Sequence, residues 1–514
     1  MLSLFWNAGA SETIAGVDML GVRRFDQDLE RRWVAGITTV SQRARYLSLI
    51  PWAIAEYYRR ALAAGDGRSC FEWSQLSAIL GRLEFVTLAA TSLGRDGAYD
   101  YGTIGKDSHG ELIRTLRAGE PVSLDSISGG SSYNTYIGPC RSFQILRDAQ
   151  EAARPIQILA LGQSIHSARQ VACAESRLAA AVFDGGVVDR LDFAREGHLF
   201  DLNGLSGPSA RGERKWLMEA FLHPGGALDP ARGERFRGTV AWILDALADE
   251  SMSAWMLVKS NYERCAEEPA TTRGPAELSF FEYELRRRVH FALELLLRAT
   301  TRTLQTLVEA TIPEITLRWT DASLPTDSKA FRLVRAETWQ YSATLGDFVS
   351  GADPRAFIGE WVVSSEARAL SSGQQALYAL ALVVACDKHS RVYRDTGRLP
   401  DRTHAVERVF SLLREYASRR LPEALEELTR ELVVARHLHV TLRKMGNGQK
   451  CSLRFYPEGR LLRPTGTGVR AGFSGTRLAN VFEMLADLGI LERLKDHTLR
   501  PTPVGLALRG KLES

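Results

Sequence analysis

Apolar residues recur at three- and four-residue spacing over most of the chain, which predicts a protein built mainly of helices. The first such run covers 25–62, with Ile37, Val40, Ala44, Leu47 and Ile50 on one face. A break is expected near Gly36, and Pro51 either kinks this helix or starts the next. A second run covers 73–92. Residues 94–139 lose the periodicity and are rich in Gly and Ser, as in SISGGSSYNTYIGP. They predict a long loop holding one short helix at 111–117. Helical patterning returns over 140–183, and a stretch punctuated by Pro208, Pro224 and Pro230 follows at 203–235.

From 236 to 440 helices dominate. Segment 277–311 has no internal Pro or Gly and spans about 50 Å at 1.5 Å per residue. Its apolar positions are too broad for a coiled-coil seam, so it predicts a central helix buried on more than one side. Segments 366–394 and 402–438 are also helical, with a kink at Pro422. The loop 312–330 separates two groups of helices, and ITLRW within it reads as a possible strand.

Beyond 441 the pattern changes. CSLRFYPEGRLLR, residues 451–463, alternates around a Pro-Glu-Gly turn and predicts a β-hairpin. A Gly-rich loop, PTGTGVRAGFSG, comes next. Residues 473–512 then predict a helix, a two-stranded hairpin turning at Lys495, Asp496 and His497, and a last helix opened by Pro503. Soft boundaries give four regions: an N-terminal helical domain (1–120), a helical unit (121–205), a central helical domain (206–440) and a basic C-terminal domain (441–514).

The string LADLGILER…LRPTPVGLALRG resembles a winged helix of the MarR-like kind. In place of that family's two leading helices stands the hairpin 451–463. The resemblance implies DNA binding, with Thr476, Arg477 and Asn480 on the exposed face of a reading helix, where Arg and Asn reach base edges. It further implies phosphate contacts from Arg493, Lys495, His497 and Arg500 on the wing. A fainter echo at 143–170, which would make 121–205 a second winged-helix-like unit, sets Phe143, Leu146 and Asp148 against Phe482, Leu485 and Asp487, and Gly162 against Gly505, across a shorter wing.

Charge changes the picture more than composition does. The 514 residues are 45% hydrophobic and 25% charged, which excludes disordered, collagen-like and disulfide-stapled classes. Lys+Arg at 65 against Asp+Glu at 61 leaves a net +4. Residues 441–514 alone hold 13 basic and 6 acidic side chains. Arg443, Lys444, Lys450, Arg454, Arg460 and Arg463 would extend the wing into one phosphate-gripping patch.

Other chemistry is sparse. The six cysteines are far apart and lack a C-x-x-C pair, so a zinc ribbon is disfavoured. Neither a P-loop nor a G-x-S-x-G elbow occurs, and Lys106 in GTIGKDS lacks phosphate-loop spacing. His437 and His439 would share a face only if HLH formed a strand. Asp321, Asp327, Lys329 and Glu360 are the best candidates for a magnesium site. Arg286, Arg287 and Arg288 suit either nucleic acid or ion pairs. The aliphatic run Ala376–Cys386 is shorter than a membrane span needs, and the start of the chain lacks a secretory pattern. The chain is therefore expected to be cytoplasmic, without cofactor or membrane.

The stretch GVDMLGVRRFDQDLERRWVAGITTVSQRARYLSLIPWAIAEYY is similar to bacterial phage-defence-associated proteins, through its T-x-x-S-x-R-A-R-Y-x-S-x-x-P-W run. Three readings follow. The first is a DNA-binding recognition or scaffold subunit of a defence or DNA-processing complex, with protein partners and no reaction of its own. The second is a metal-dependent nuclease docked by a winged helix. The third is a protein scaffold without DNA contact.

Overall fold

The computed structural model describes residues 18–64, 71–94, 101–149, 154–224, 229–268, 273–320, 343–351, 364–395, 405–447, 451–473 and 475–513. These are mainly helical, and every sheet among them is a two-stranded antiparallel pair. The chain divides into two compact units. A flanking unit is made of Arg31–Leu257 and Gly475–Ser514, and an inserted unit of Met1–Glu30 and Val258–Ser474. The division after Ser474 splits the region predicted as a single C-terminal domain.

The run expected as helix over 25–62, most of it in the flanking unit, is interrupted. Helix Arg24–Trp33 ends, and Tyr46–Ala64 begins only after a looped segment. Ala35 and Gly36 both take positive φ, 48° and 79°, which a helix cannot continue through. Ser41 Oγ then accepts the Thr38 N–H at 2.8 Å and fixes the turn. Val40, placed on the apolar face by spacing, is 59% exposed as a result. Pro51 is carried inside Tyr46–Ala64. The stretch expected as loop contains two helices, Lys106–Arg117 and Ser131–Ser142. Pro230 likewise opens a helix, Pro230–Ala246, whose first turn is capped by Asp229 accepting from Arg232 N.

Two helix–hairpin–helix frames lie in this unit. One is helix Ser131–Ser142, strands Leu146–Asp148 and Ile156–Ile158, and helix Ala160–Cys173. The other is helix Leu478–Asp487, strands Leu491–Arg493 and Leu499–Pro501, and helix Pro503–Glu513. They share backbone bonds. The Ile145 N–H donates to Cys140 O and the Ile490 N–H to Leu485 O, both at 2.9 Å. After each hairpin the chain returns to the same carbonyl: Leu159 N to Ile145 O at 3.1 Å, Thr502 N to Ile490 O at 3.0 Å. A Cβ on Gly162 would lie 2.5 Å from Ile145 O, and one on Gly505 2.3 Å from Ile490 O. Only glycine lets the last helix cross so close to that carbonyl. The sequence echo thus marks a real correspondence in a shifted register. Ile145 matches Ile490, Leu146–Asp148 is strand rather than helix, and the loop of the earlier frame (149–155) is longer than 494–498, not shorter.

The later frame draws its leading elements from far upstream. Met252 and Leu499 exchange backbone bonds of 3.1 and 3.0 Å, an isolated antiparallel bridge against the hairpin. Arg509 pairs with Asp245, and Gly505 sits against Leu244. Helix Pro230–Ala246 therefore backs the last helix of this frame, and the hairpin predicted at 451–463 belongs to the inserted unit.

The inserted unit is organised by helix Pro275–Leu307, which packs along helix Ser372–Asp395. Nearly every residue of Leu278–Leu304 is buried, as its wide apolar pattern requires. The aliphatic run Ala376–Cys386 lies in this core. Pro422 does not kink a helix; it occupies the first turn of Leu421–Thr429. ITLRW lies inside helix Ile312–Thr320, so the strand expected there is absent. The hairpin is present as Phe455–Glu458 paired with Leu461–Pro464, and Leu462 also pairs with Ala310. Among the described residues one helix, Trp73–Leu93 of the flanking unit, is long and apolar enough to cross a membrane, and 72% of its most apolar window is buried in the fold.

Candidate nucleic-acid interface

The basic C-terminal patch separates into two unequal parts. Residues 441–474 hold seven Lys/Arg and one acidic residue, Glu458, whereas 475–514 hold six and five. Almost all of the excess charge thus belongs to the inserted unit and not to the helix–hairpin–helix frame. Arg443, at the end of helix Arg436–Gly446, and Arg460, in the hairpin turn, are exposed. Arg470, which the sequence reading passed over because it lies in the Gly-rich loop, is exposed too. The other described candidates are buried or have protein partners. Lys444 donates to Asp18 O at 2.7 Å, Arg454 is 1% exposed, and Arg463 pairs with Glu309 and Glu458, each at 2.8 Å. Lys450 lies outside the described residues.

The proposed reading face of helix Leu478–Asp487 is not a face at all. Thr476, Arg477 and Asn480 are 6%, 6% and 3% exposed. Thr476 Oγ1 accepts the Leu478 N–H at 3.1 Å, ahead of the first turn of the helix. Arg477 Nη1 donates to Ile37 O at 3.2 Å, and Asn480 Nδ2 donates to Thr38 O at 2.6 Å. The looped segment after Trp33 has carbonyls without helical partners, and these side chains satisfy them. The chemistry that suits base edges suits bare backbone equally well. On the wing, Arg493 pairs with Glu483 and Arg500 with Glu492, while Lys495 and His497 are exposed in the turn.

The T-x-x-S-x-R-A-R-Y run is a buried clamp within the flanking unit. Arg43 donates to both oxygens of Asp487 at 2.9–3.1 Å and to Asn203 Oδ1 at 2.9 Å. Arg45 and Arg169 enclose Glu213, with contacts of 3.1 and 2.8 Å. The Tyr46 hydroxyl accepts the Ile104 N–H at 3.1 Å.

Arg286, Arg287 and Arg288 are 3%, 1% and 1% exposed, which removes them as nucleic-acid ligands. Arg286 pairs with Glu282, and Arg287 and Arg288 pair with Glu284 at 2.6 and 3.0 Å. Arg288 lies 3.8 Å over the Tyr262 ring and Arg287 4.3 Å over Phe473. Next on the same helix, His290 stands between Asp26 at 3.6 Å and Glu294 at 3.2 Å. Burial opposes its charge, but the two carboxylates outweigh burial and raise the imidazole to about 9.

His437 and His439 lie on a helix, one fully buried and the other exposed, so they share no metal-facing side. His437 accepts the Arg454 N–H on Nε2 at 3.0 Å and contacts Met19 O through Nδ1 at 3.2 Å, which fixes the Nδ1–H tautomer. Burial lowers its pKa to about 4. Lys106 opens helix Lys106–Arg117. Asp321, Asp327, Lys329 and Glu360 lie outside the described residues. No group of three or more His, Cys, Asp or Glu that could hold a metal occurs among the described residues. The chain matches no protein-family model, no curated protein and no solved structure with which it was compared.

Proposed function

We propose that this chain is a DNA-binding scaffold or recognition subunit of a bacterial defence or DNA-processing complex, and that it grips duplex DNA through phosphates. One observation carries the reading: residues 441–474 set seven basic side chains against one acidic residue, and present Arg443, Arg460 and Arg470 to solvent. Exposed cations in such excess favour a polyanion, since binding releases the counterions condensed on it. The N-terminal resemblance to phage-defence-associated proteins supports the setting.

The direct test is an Arg443→Glu/Arg460→Glu/Arg470→Glu variant in a gel-shift titration with a mixed-sequence duplex. All three side chains are exposed, so folding should survive. Affinity should fall by a factor of at least 100 at moderate salt, in line with the loss of three phosphate contacts. Equal retention by the folded variant would overturn the assignment of these three cations, and no retention by the wild type would favour a scaffold that contacts only protein.

A further inference from the structure

The two helix–hairpin–helix frames of the flanking unit differ in what their first helices expose. In the later frame the polar residues are turned inward onto Ile37 and Thr38, as described above. In the earlier frame the exposed positions of helix Ser131–Ser142 are Ser131, Asn134, Gly138 and Arg141. Their spacing of three, four and three places them along one stripe of the helix. Tyr136, Pro139 and Cys140 fill the opposite, buried side.

We infer that helix Ser131–Ser142, and not Leu478–Asp487, is the element that reads base edges in duplex DNA. The inference rests on the DNA-binding reading above. Three observations favour this occupant. Asn134 and Arg141 offer the donor and acceptor sets that pair bidentately with adenine and guanine in the major groove. A Cβ built on Gly138 meets nothing within 4 Å, so the middle of the stripe is bare backbone open to close approach. Beside the helix, the hairpin carries exposed Arg147 and Arg154, suited to the flanking phosphates. Arg141 pairs with Asp148, but the two side chains are 43% and 65% exposed. A pair so solvated is readily exchanged for a base or phosphate contact.

The segment SISGGSSYNTYIGP that forms the stripe has the composition of a loop. Its helix is held from outside: Glu84 accepts the Ser132 N–H at 2.8 Å, and the Tyr136 hydroxyl accepts the Arg43 N–H at 2.8 Å.

The experiment is a binding selection with the full-length chain on a pool of randomised 20-base-pair duplexes, ~20 being enough to span a site of one to two helical turns. It is repeated with Asn134→Ala and with Gly138→Glu, which adds bulk and negative charge where space is open. The wild-type chain should enrich a sequence motif. Each substitution should reduce the preference for that motif over an arbitrary duplex by about tenfold, the worth of one good base contact. Duplex binding without enrichment, or enrichment that both variants retain, overturns the assignment of this helix while leaving phosphate binding in place. Absence of duplex binding by the wild-type chain overturns both.

Discussion

Arg43 and Asp487 are 444 positions apart in sequence, yet the guanidinium donates to both carboxylate oxygens at 2.9–3.1 Å. Their side chains are 1% and 8% exposed. The Ala44 N–H adds a third bond to the same carboxylate at 2.9 Å. The pair joins the start of the flanking unit to its end, across an insertion that begins after Leu257 and closes at Gly475. Tertiary contacts of this kind, rather than chain continuity, make Gly475–Ser514 part of that unit.

Asp487→Asn should therefore loosen the later frame. Removing one member of a buried ion pair leaves the other charge uncompensated and costs about 3–5 kcal/mol. Hydrogen–deuterium exchange across 478–501 should accelerate in this variant, whereas a combined Arg43→Met/Asp487→Leu variant should recover most of the protection. Unchanged exchange in Asp487→Asn would show that the clamp contributes little.

Gly505→Ala and Gly510→Ala should separate cleanly. A Cβ at 505 would lie 2.3 Å from Ile490 O, while one at 510 meets nothing within 4 Å. The first substitution forces the last helix off the hairpin at a cost of about 1–3 kcal/mol. The second, in the same helix, should be neutral or stabilise by up to about 1 kcal/mol. Thermal melting of the two variants beside the wild type checks the contrast.

His290 predicts a loss of stability on the alkaline side. Its folded pKa of about 9 exceeds the unfolded value of 6.5, so the protonated ring stabilises the fold. That contribution, about 3 kcal/mol for a group this buried, is complete below 6.5 and lost as pH rises toward 9. Denaturant midpoints measured from pH 6 to 9.5 should fall more steeply for the wild type than for His290→Gln.

His437 acts in the opposite direction. Its folded pKa of about 4 lies below the unfolded 6.5, so the neutral ring is the stabilising form. Its contribution is present above 6.5 and disappears as pH falls toward 4. Denaturant midpoints between pH 7 and 4 should drop for the wild type, and a His437→Gln variant should flatten that limb while lowering the plateau.

The inserted unit was legible where one element alone decides the pattern. The wide apolar surface of 277–311 announces a helix buried on several sides, and the Pro-Glu-Gly turn announces the hairpin. Legibility failed where distant residues decide. Nothing local to SSYNTY signals a helix, because its stability comes from Glu84 and from packing of Tyr136. Nothing local to Thr476, Arg477 and Asn480 signals burial, because the carbonyls they satisfy belong to Ile37 and Thr38. Net charge misled for the same reason. The 13 basic residues of 441–514 are contiguous in sequence but divided between two units at Ser474. Gly162 and Gly505 were the exception, since two glycines at matching points do report a shared backbone crossing.

The central claim is that the exposed cations of 441–474 hold DNA by its phosphates. Fluorescence anisotropy of a labelled duplex, titrated with the full-length chain over a series of salt concentrations, tests it most directly. The wild type should show log affinity falling linearly with log salt, and the Arg443→Glu/Arg460→Glu/Arg470→Glu variant should lose about three units of that slope. Binding whose affinity is insensitive to salt, or a slope identical in the folded variant, would contradict the account.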